Sequence, residues 1–149
     1  MFCVLFLLCF AINLNLSEGA DSITANQTLY GNQTIVSAGE TFELGFFSPG
    51  NSSKYYVGIW YKSVSQKTFW VANREKPISD MSSAELKILD ENLVLMDKSQ
   101  VLIWSTNVNS TTSNSVVATL GDDGNLVLRD GSQPKSSEQQ LKMSSWPVH

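Results

Sequence analysis

One phrase in this chain occurs twice, and it limits what the chain can fold into more than any other feature. Leu89-Asp90-Glu91-Asn92-Leu93-Val94-Leu95-Met96-Asp97 is answered thirty-three positions later by Asp122-Asp123-Gly124-Asn125-Leu126-Val127-Leu128-Arg129-Asp130. Each copy is an acidic, Asn- or Gly-containing turn that runs into an alternating apolar strand, the pattern of the return strand of a β-hairpin. A second phrase repeats with it. Phe69-Trp70-Val71-Ala72-Asn73 and Ile103-Trp104-Ser105-Thr106-Asn107 place Trp-x-x-Asn twice, thirty-four residues apart. A period in that range indicates one supersecondary unit copied around a shared core.

A chain of 149 residues can bury roughly 68–70% of its unfolded surface, enough for one domain with a proper core. Gly, Ser, Thr, Asn and β-branched residues are plentiful and helical periodicity is missing, so the expected class is all-β. A formal charge of −4 provides no basic face for nucleic acid or anionic lipid.

Residues 1–19 read as a signal peptide. Val4 to Ile12 is an apolar run too short to span a bilayer, and Ser17 and Gly19 stand at −3 and −1 of a cleavage site; an uncleaved anchor is the alternative. No later stretch is apolar enough for a transmembrane helix, so the mature chain is expected in the secretory route. Both cysteines, Cys3 and Cys9, lie in that leader, which leaves the mature domain without disulfides, Cys-ligated metal or a Cys nucleophile. N-glycosylation sequons at Asn26, Asn32, Asn51 and Asn109 fit the same route.

Between leader and repeat, Thr41 to Phe47 reads as a strand ended by Ser48-Pro49-Gly50-Asn51, and Tyr55 to Tyr61 as an aromatic, β-branched strand, with Lys67 to Asn73 following it. This aromatic density is expected to be core; a carbohydrate-stacking platform is the other reading. In the doubled strand, alternation puts Leu93 and Leu95 on one face and Asn92, Val94 and Met96 on the other, with Asp90 at its entrance. The second copy likewise opposes Leu126 and Leu128 to Asn125, Val127 and Arg129, with Asp123 at the entrance. The Leu faces should pack inward. The Asp and Asn residues either face sugar hydroxyls or cap the hairpin turns.

Taken together, Phe42-Glu43-Leu44-Gly45-Phe46-Phe47-Ser48-Pro49-Gly50, Gly58-Ile59-Trp60-Tyr61, Trp70-Val71-Ala72-Asn73-Arg74 and the doubled Asn-Leu-Val-Leu resemble the bulb-type (monocot mannose-binding) lectin domain. The form most similar is that of plant S-domain, or G-type lectin, receptor-like serine/threonine kinases and S-locus glycoproteins. The resemblance covers 20–131. It implies a β-prism of three four-stranded sheets with pseudo-threefold symmetry and one Trp from each unit near the centre. It also implies mannose-type glycans as ligands and an extracellular (apoplastic) location, full-length relatives being at the plasma membrane; the missing kinase and an expected open sheet edge suggest S-domain receptor kinases or a second copy as partners.

Sugar-binding members of that family carry Gln-x-Asp-x-Asn-x-Val-x-Tyr at each site. Here the first copy keeps Asp90, Asn92 and Val94 and the second Asp123, Asn125 and Val127, while Gln and Tyr are replaced by Ile88 and Met96 and by Gly121 and Arg129. The N-terminal segment Thr41 to Phe47 has no such pattern. A site of about mM strength holds only about 4 kcal/mol and each lost hydrogen bond removes roughly 0.5–1.5, so weak or absent mannose binding is expected. The alternative is a protein-interaction module that uses the fold without sugar and modulates receptor kinases. The polar segment 132–149 reads as a disordered tail, and the prism is expected to lack its closing strand. Phe69 directly before Trp70 departs from the relatives and would flip the strand's faces locally.

No enzyme is expected. The single histidine is His149, there is no Gly-rich phosphate loop, and the pairs Asp90/Glu91 and Asp122/Asp123 alternate faces in turns, so catalytic, metal and cofactor schemes lack parts.

Overall fold

The computed structural model describes residues 20–64, 67–97, 99–108, 115–131 and 139–141, the last three by backbone alone. The expectations for the leader 1–19, Asn109 and most of the tail lie outside these residues. Among the described residues twelve strands form three antiparallel four-stranded sheets.

Each sheet is a three-strand meander with a fourth strand added from the N-terminal segment. In the first sheet β3 (Thr34–Val36) precedes β4 (Phe42–Phe47), β5 (Tyr56–Tyr61) and β6 (Thr68–Val71). The second has β2 (Thr28–Leu29) beside β7 (Glu85–Leu89), β8 (Asn92–Met96) and β9 (Leu102–Ser105). The third has β1 (Ser22–Ile23) beside β10 (Val116–Leu120), β11 (Leu126–Asp130) and β12 (Gln139–Leu141). Residues 22–36 therefore thread past all three sheets and leave one edge strand on each. The turns between these strands are built alike. Gln27 and Gln33 each donate their backbone N–H to the carbonyl three residues back, at Thr24 and Tyr30, and accept that residue's N–H with Oε1.

The expected β-prism of three four-stranded sheets is present, with one correction. Its closing strand is not missing: Gln139–Leu141 pairs antiparallel with Leu126–Leu128. A peripheral strand is held by backbone hydrogen bonds, which a polar sequence makes as well as an apolar one, so the lack of an apolar alternation there concealed it. For the same reason the two-residue strands β1 and β2 left little trace in the sequence.

Inward-facing residues of the three sheets meet in one core. Leu44, Ile59, Leu86, Leu93, Leu95, Ala118, Leu120 and Leu126 are buried in it, as the Leu faces of the doubled strand require. Trp70 and Trp104 meet edge-on, with ring centroids 5.6 Å apart and planes at 68°. Both Trp residues are placed by a β-bulge. Trp70 pairs with Ile59 while Thr68 pairs with Trp60, leaving Phe69 as the extra residue. Trp104 pairs with Leu95 while Leu102 pairs with Met96, leaving Ile103 extra. Phe69 before Trp70 thus does not invert the strand, because the bulge absorbs the added position.

Candidate functional site

The Trp pairings fix which positions of the three meanders correspond. Ile59 of β5 stands where Leu95 stands in β8, so the counterpart of the doubled strand in the first sheet is β5 and not Thr41 to Phe47. On its outward face Tyr56, Gly58 and Trp60 occupy the places of Asn92, Val94 and Met96 in β8 and of Asn125, Val127 and Arg129 in β11. Lys54 stands where the Asp would be, so this sheet still has no Asp-x-Asn pair.

Trp60 is only 8% exposed. Its Nε1 donates to Glu43 Oε1 at 2.9 Å, and Phe47 closes on its ring at 6.1 Å between centroids. Gly58 lies directly beneath, where a Cβ would come within 2.7 Å of both Phe47 Cε1 and the Trp70 carbonyl oxygen. These aromatics fill the outer face with one another and leave the indole no open surface for stacking. The core reading holds for Phe42, Phe46 and Trp70, whereas Trp60 is buried outside the central cluster and Tyr61 and Phe69 are exposed.

The two copies of the doubled strand differ most at their turns. In the first copy Leu89 pairs with Asn92, so Asp90 and Glu91 alone make the reversal, with φ of 50° and 67°. Two successive positive φ values define the tight hairpin turn that matches strand twist. Asn92 then lies inside the ladder, and its amide is fully engaged. Oδ1 accepts the Thr106 hydroxyl and the Val108 N–H, both at 2.7 Å, while Nδ2 donates to the carbonyls of Asp90 and Val108 at 3.3 and 3.4 Å. Thr106 Oγ1 in turn accepts the N–H of Leu93 at 3.2 Å. The rest of the face is closed as well, with Val94 4% and Met96 8% exposed.

In the second copy the last pair before the turn is Leu120 with Leu126, so the reversal is longer and runs from Gly121 to Asn125. Gly124 N–H bonds back to the Gly121 carbonyl, and the φ of +82° at Gly124 is one that glycine adopts without strain. Asp123 Oδ1 accepts the Asn125 N–H at 3.0 Å and Oδ2 accepts Asn125 Nδ2 at 2.8 Å. Asp123 therefore does cap the turn. It also orients the Asn125 side chain, whose Oδ1 accepts no hydrogen bond from the described residues. Val127 and Arg129 continue this face only partly buried. Beside them, Thr119 pairs with both Val127 and Ser22, and the Ser22 and Thr119 hydroxyls lie 2.8 Å apart.

The two Asp-x-Asn-x-Val copies are alike in sequence. The structure brings Asp123, Asn125 and Val127 together on an accessible face and assigns Asn92 and Val94 to internal bonding and packing. Arg129 lies on that face as strand alternation requires, and Ser22 and Thr119 complete it without having been singled out. Only the pairing register of β1 and β10 could have found the two hydroxyls.

A family model described as D-mannose binding lectin matches residues 67–145. The chain belongs to this lectin family. A G-type lectin S-receptor-like serine/threonine-protein kinase of Arabidopsis thaliana is 50% identical over 134 residues, covering 89% of this chain and 16% of the kinase. The S-locus-specific glycoprotein S6 of Brassica oleracea is 40% identical over 150 residues, 99% of this chain and 33% of the glycoprotein. The lectin domain thus spans between a sixth and a third of these relatives. Among solved structures, the Polygonatum cyrtonema lectin complexed with monomannoside superposes with a TM-score of 0.55 at 20% identity, covering 77% of this chain and 99% of that one. A Marasmius oreades lectin gives 0.59 at 14% identity, covering 82% and 92%. These neighbours share the β-prism. Among the described residues no helix is long and apolar enough to cross a membrane.

Proposed function

We propose that this lectin domain is a secreted, N-glycosylated recognition domain that binds mannose-type glycans weakly and through one sheet only, the face carrying Asp123, Asn125 and Val127. The observation that carries this reading is the contrast between Asn125, oriented by Asp123 with its Oδ1 available, and Asn92, whose amide is occupied on both sides. Loss of the family's Gln and Tyr at both copies makes the surviving affinity low. Removal of residues 1–19 would deliver the domain to the cell exterior. The exposed turn positions of Asn26, Asn32 and Asn51 suit glycan attachment, and Asn109 belongs to the same set. Recognition rather than catalysis is the activity, with no metal or cofactor.

A second reading has its own observation. The outer faces of β5 and β8 are closed by Trp60, Val94 and Met96, which favours a domain that meets protein partners such as S-domain receptor kinases and modulates them. Thermal melts in methyl α-mannoside separate the two. A ligand that binds only the native state adds about 2.7 kcal/mol at a hundredfold excess over Kd. The midpoint should therefore rise with sugar, and the rise should vanish in Asp123→Ala and Asn125→Ala. A cooperative melt indifferent to sugar would overturn the carbohydrate reading and leave the protein-partner one.

A further inference from the structure

We propose that the outer face of the β1-β10-β11-β12 sheet selects a uronic acid residue within a polysaccharide, with Arg129 binding its carboxylate. This rests on the reading of that face as the sugar-binding one and names what kind of sugar it takes.

Three observations lead there. First, Arg129 shares the face of Asn125 and Val127, because alternate residues of β11 point the same way. Among the described residues its side chain has no hydrogen bond and no ion pair, and the salt bridges Lys62–Glu40 and Lys87–Glu85 lie elsewhere. Second, the fold does not need a cation there. The corresponding positions of the other sheets hold Trp60 and Met96, each 8% exposed, whereas Arg129 is only partly buried. Third, the neighbouring groups suit a sugar chain. Asp123 offers carboxylate oxygens and Asn125 a free Oδ1 to hydroxyl donors, and the Ser22–Thr119 hydroxyl pair, whose protons go from Thr119 to Ser22 and from Ser22 to Asp21 Oδ1, adds further acceptors. A guanidinium beside such a row matches a planar carboxylate by two parallel N–H···O bonds, a geometry that a neutral hydroxymethyl group cannot supply.

Charge placement agrees with this arrangement. Arg129 lies four residue steps along the strand from Asn125, about 13 Å at roughly 3.3 Å per step. That exceeds the screening length of about 8–10 Å at physiological salt, so the carboxylate held at Arg129 escapes most of the repulsion from Asp123. The acidic sugar and the sugar at Asp123–Asn125 are accordingly different residues of one oligosaccharide. The chain as a whole carries −4, so attraction is confined to this spot and general adsorption of polyanions is disfavoured.

The test is titration of the 15N-labelled chain with trigalacturonic acid, with its methyl ester and with methyl α-mannoside. The acid should bind at least tenfold more tightly than the ester and move Val127 and Arg129 amides. Arg129→Gln should abolish that preference, Arg129→Lys should keep part of it, and raising salt from 50 to 500 mM should weaken the acid severalfold and leave the ester unchanged. Equal affinity for acid and ester, or a preference that survives in a folded Arg129→Gln, overturns the proposal. Mannoside binding that is lost in Asn125→Ala without any acid preference would keep the sugar face and remove the uronate. No shift with any of the three probes removes both. Should Arg129→Gln fail to fold, the acid and ester comparison in the unchanged chain still decides.

Discussion

Replacing Asn73 by alanine is expected to cost the fold about 2–4 kcal/mol, and replacing Asn107, its counterpart in the repeated Trp-x-x-Asn phrase, by glycine almost nothing. Asn73 is 3% exposed and joins three segments. Its Oδ1 accepts the Val57 N–H at 2.8 Å, and its Nδ2 donates to the carbonyls of Tyr55 at 3.3 Å and Lys76 at 3.0 Å. Truncation leaves the buried Val57 N–H without an acceptor, which costs about 1–3 kcal/mol. The two carbonyls matter less, roughly 0.5 kcal/mol each at the low end for a hydrogen bond. Tyr55 O still accepts Ile78 N–H, and Lys76 is exposed and reaches water. Asn107 is exposed with a φ of 51°, a conformation glycine adopts freely, so Asn107→Gly should stay within about 0.5 kcal/mol. At about 4 °C per kcal/mol for a domain of this size, Asn73→Ala lowers the midpoint by about 8–16 °C. Urea unfolding followed by tryptophan emission measures both variants, and the slope should be unchanged. A loss below about 1 kcal/mol for Asn73→Ala, or an equal loss for Asn107→Gly, would refute the assignment of the bracket to Asn73.

Thr106→Val should cost about 1.5–3 kcal/mol, because the buried Leu93 N–H loses its side-chain acceptor and Asn92 Oδ1 loses one of its two donors. It should leave any sugar-dependent rise in melting midpoint intact, and a lost rise would return Asn92 to the binding site. Gly58→Ala should destabilise by about 1–3 kcal/mol in the same unfolding assay, since one of the two atoms its Cβ would strike at 2.7 Å is the fixed Trp70 carbonyl oxygen; a neutral result would mean that the sheet bends there. Leu95→Ala, at a position 0% exposed, should cost about 3–5 kcal/mol, and a loss under 2 would place the shared core elsewhere.

The repeat of Asn-Leu-Val-Leu made two central strands and their inward Leu faces legible, because alternating burial along a central strand is written in side chains; the prism itself was implied by the family resemblance. What stayed hidden is carried by the backbone. β1, β2 and β12 pair at sheet edges, where residues such as Ser22, Thr28 and Gln139 serve as well as apolar ones. The bulges at Phe69 and Ile103 depend on register, which a single extra residue changes without altering the pattern's look. The two candidate sites read alike because Asp90 and Asp123 hold equivalent sequence positions. A two-residue reversal at Asp90-Glu91 draws Asn92 into the ladder, and the longer one around Gly124 leaves Asn125 outside it. Turn length, not motif content, separates a structural asparagine from one able to meet a ligand.

The threading of residues 22–36 past all three sheets sets the order in which the molecule can close during synthesis. Val36 meets Glu43 after 7 residues, Leu29 meets Leu86 after 57, and Ile23 meets Ala118 after 95. Each doubling of a loop adds about 0.6 kcal/mol of closure entropy, and such distant pairings slow the search. The residues of β3 to β6 emerge before those of β7 to β9, and the first strand to emerge is the last to find its partner. Ser22–Ile23 stays unpaired until Val116–Leu120 has emerged, so the sheet bearing Asp123, Asn125 and Arg129 matures last.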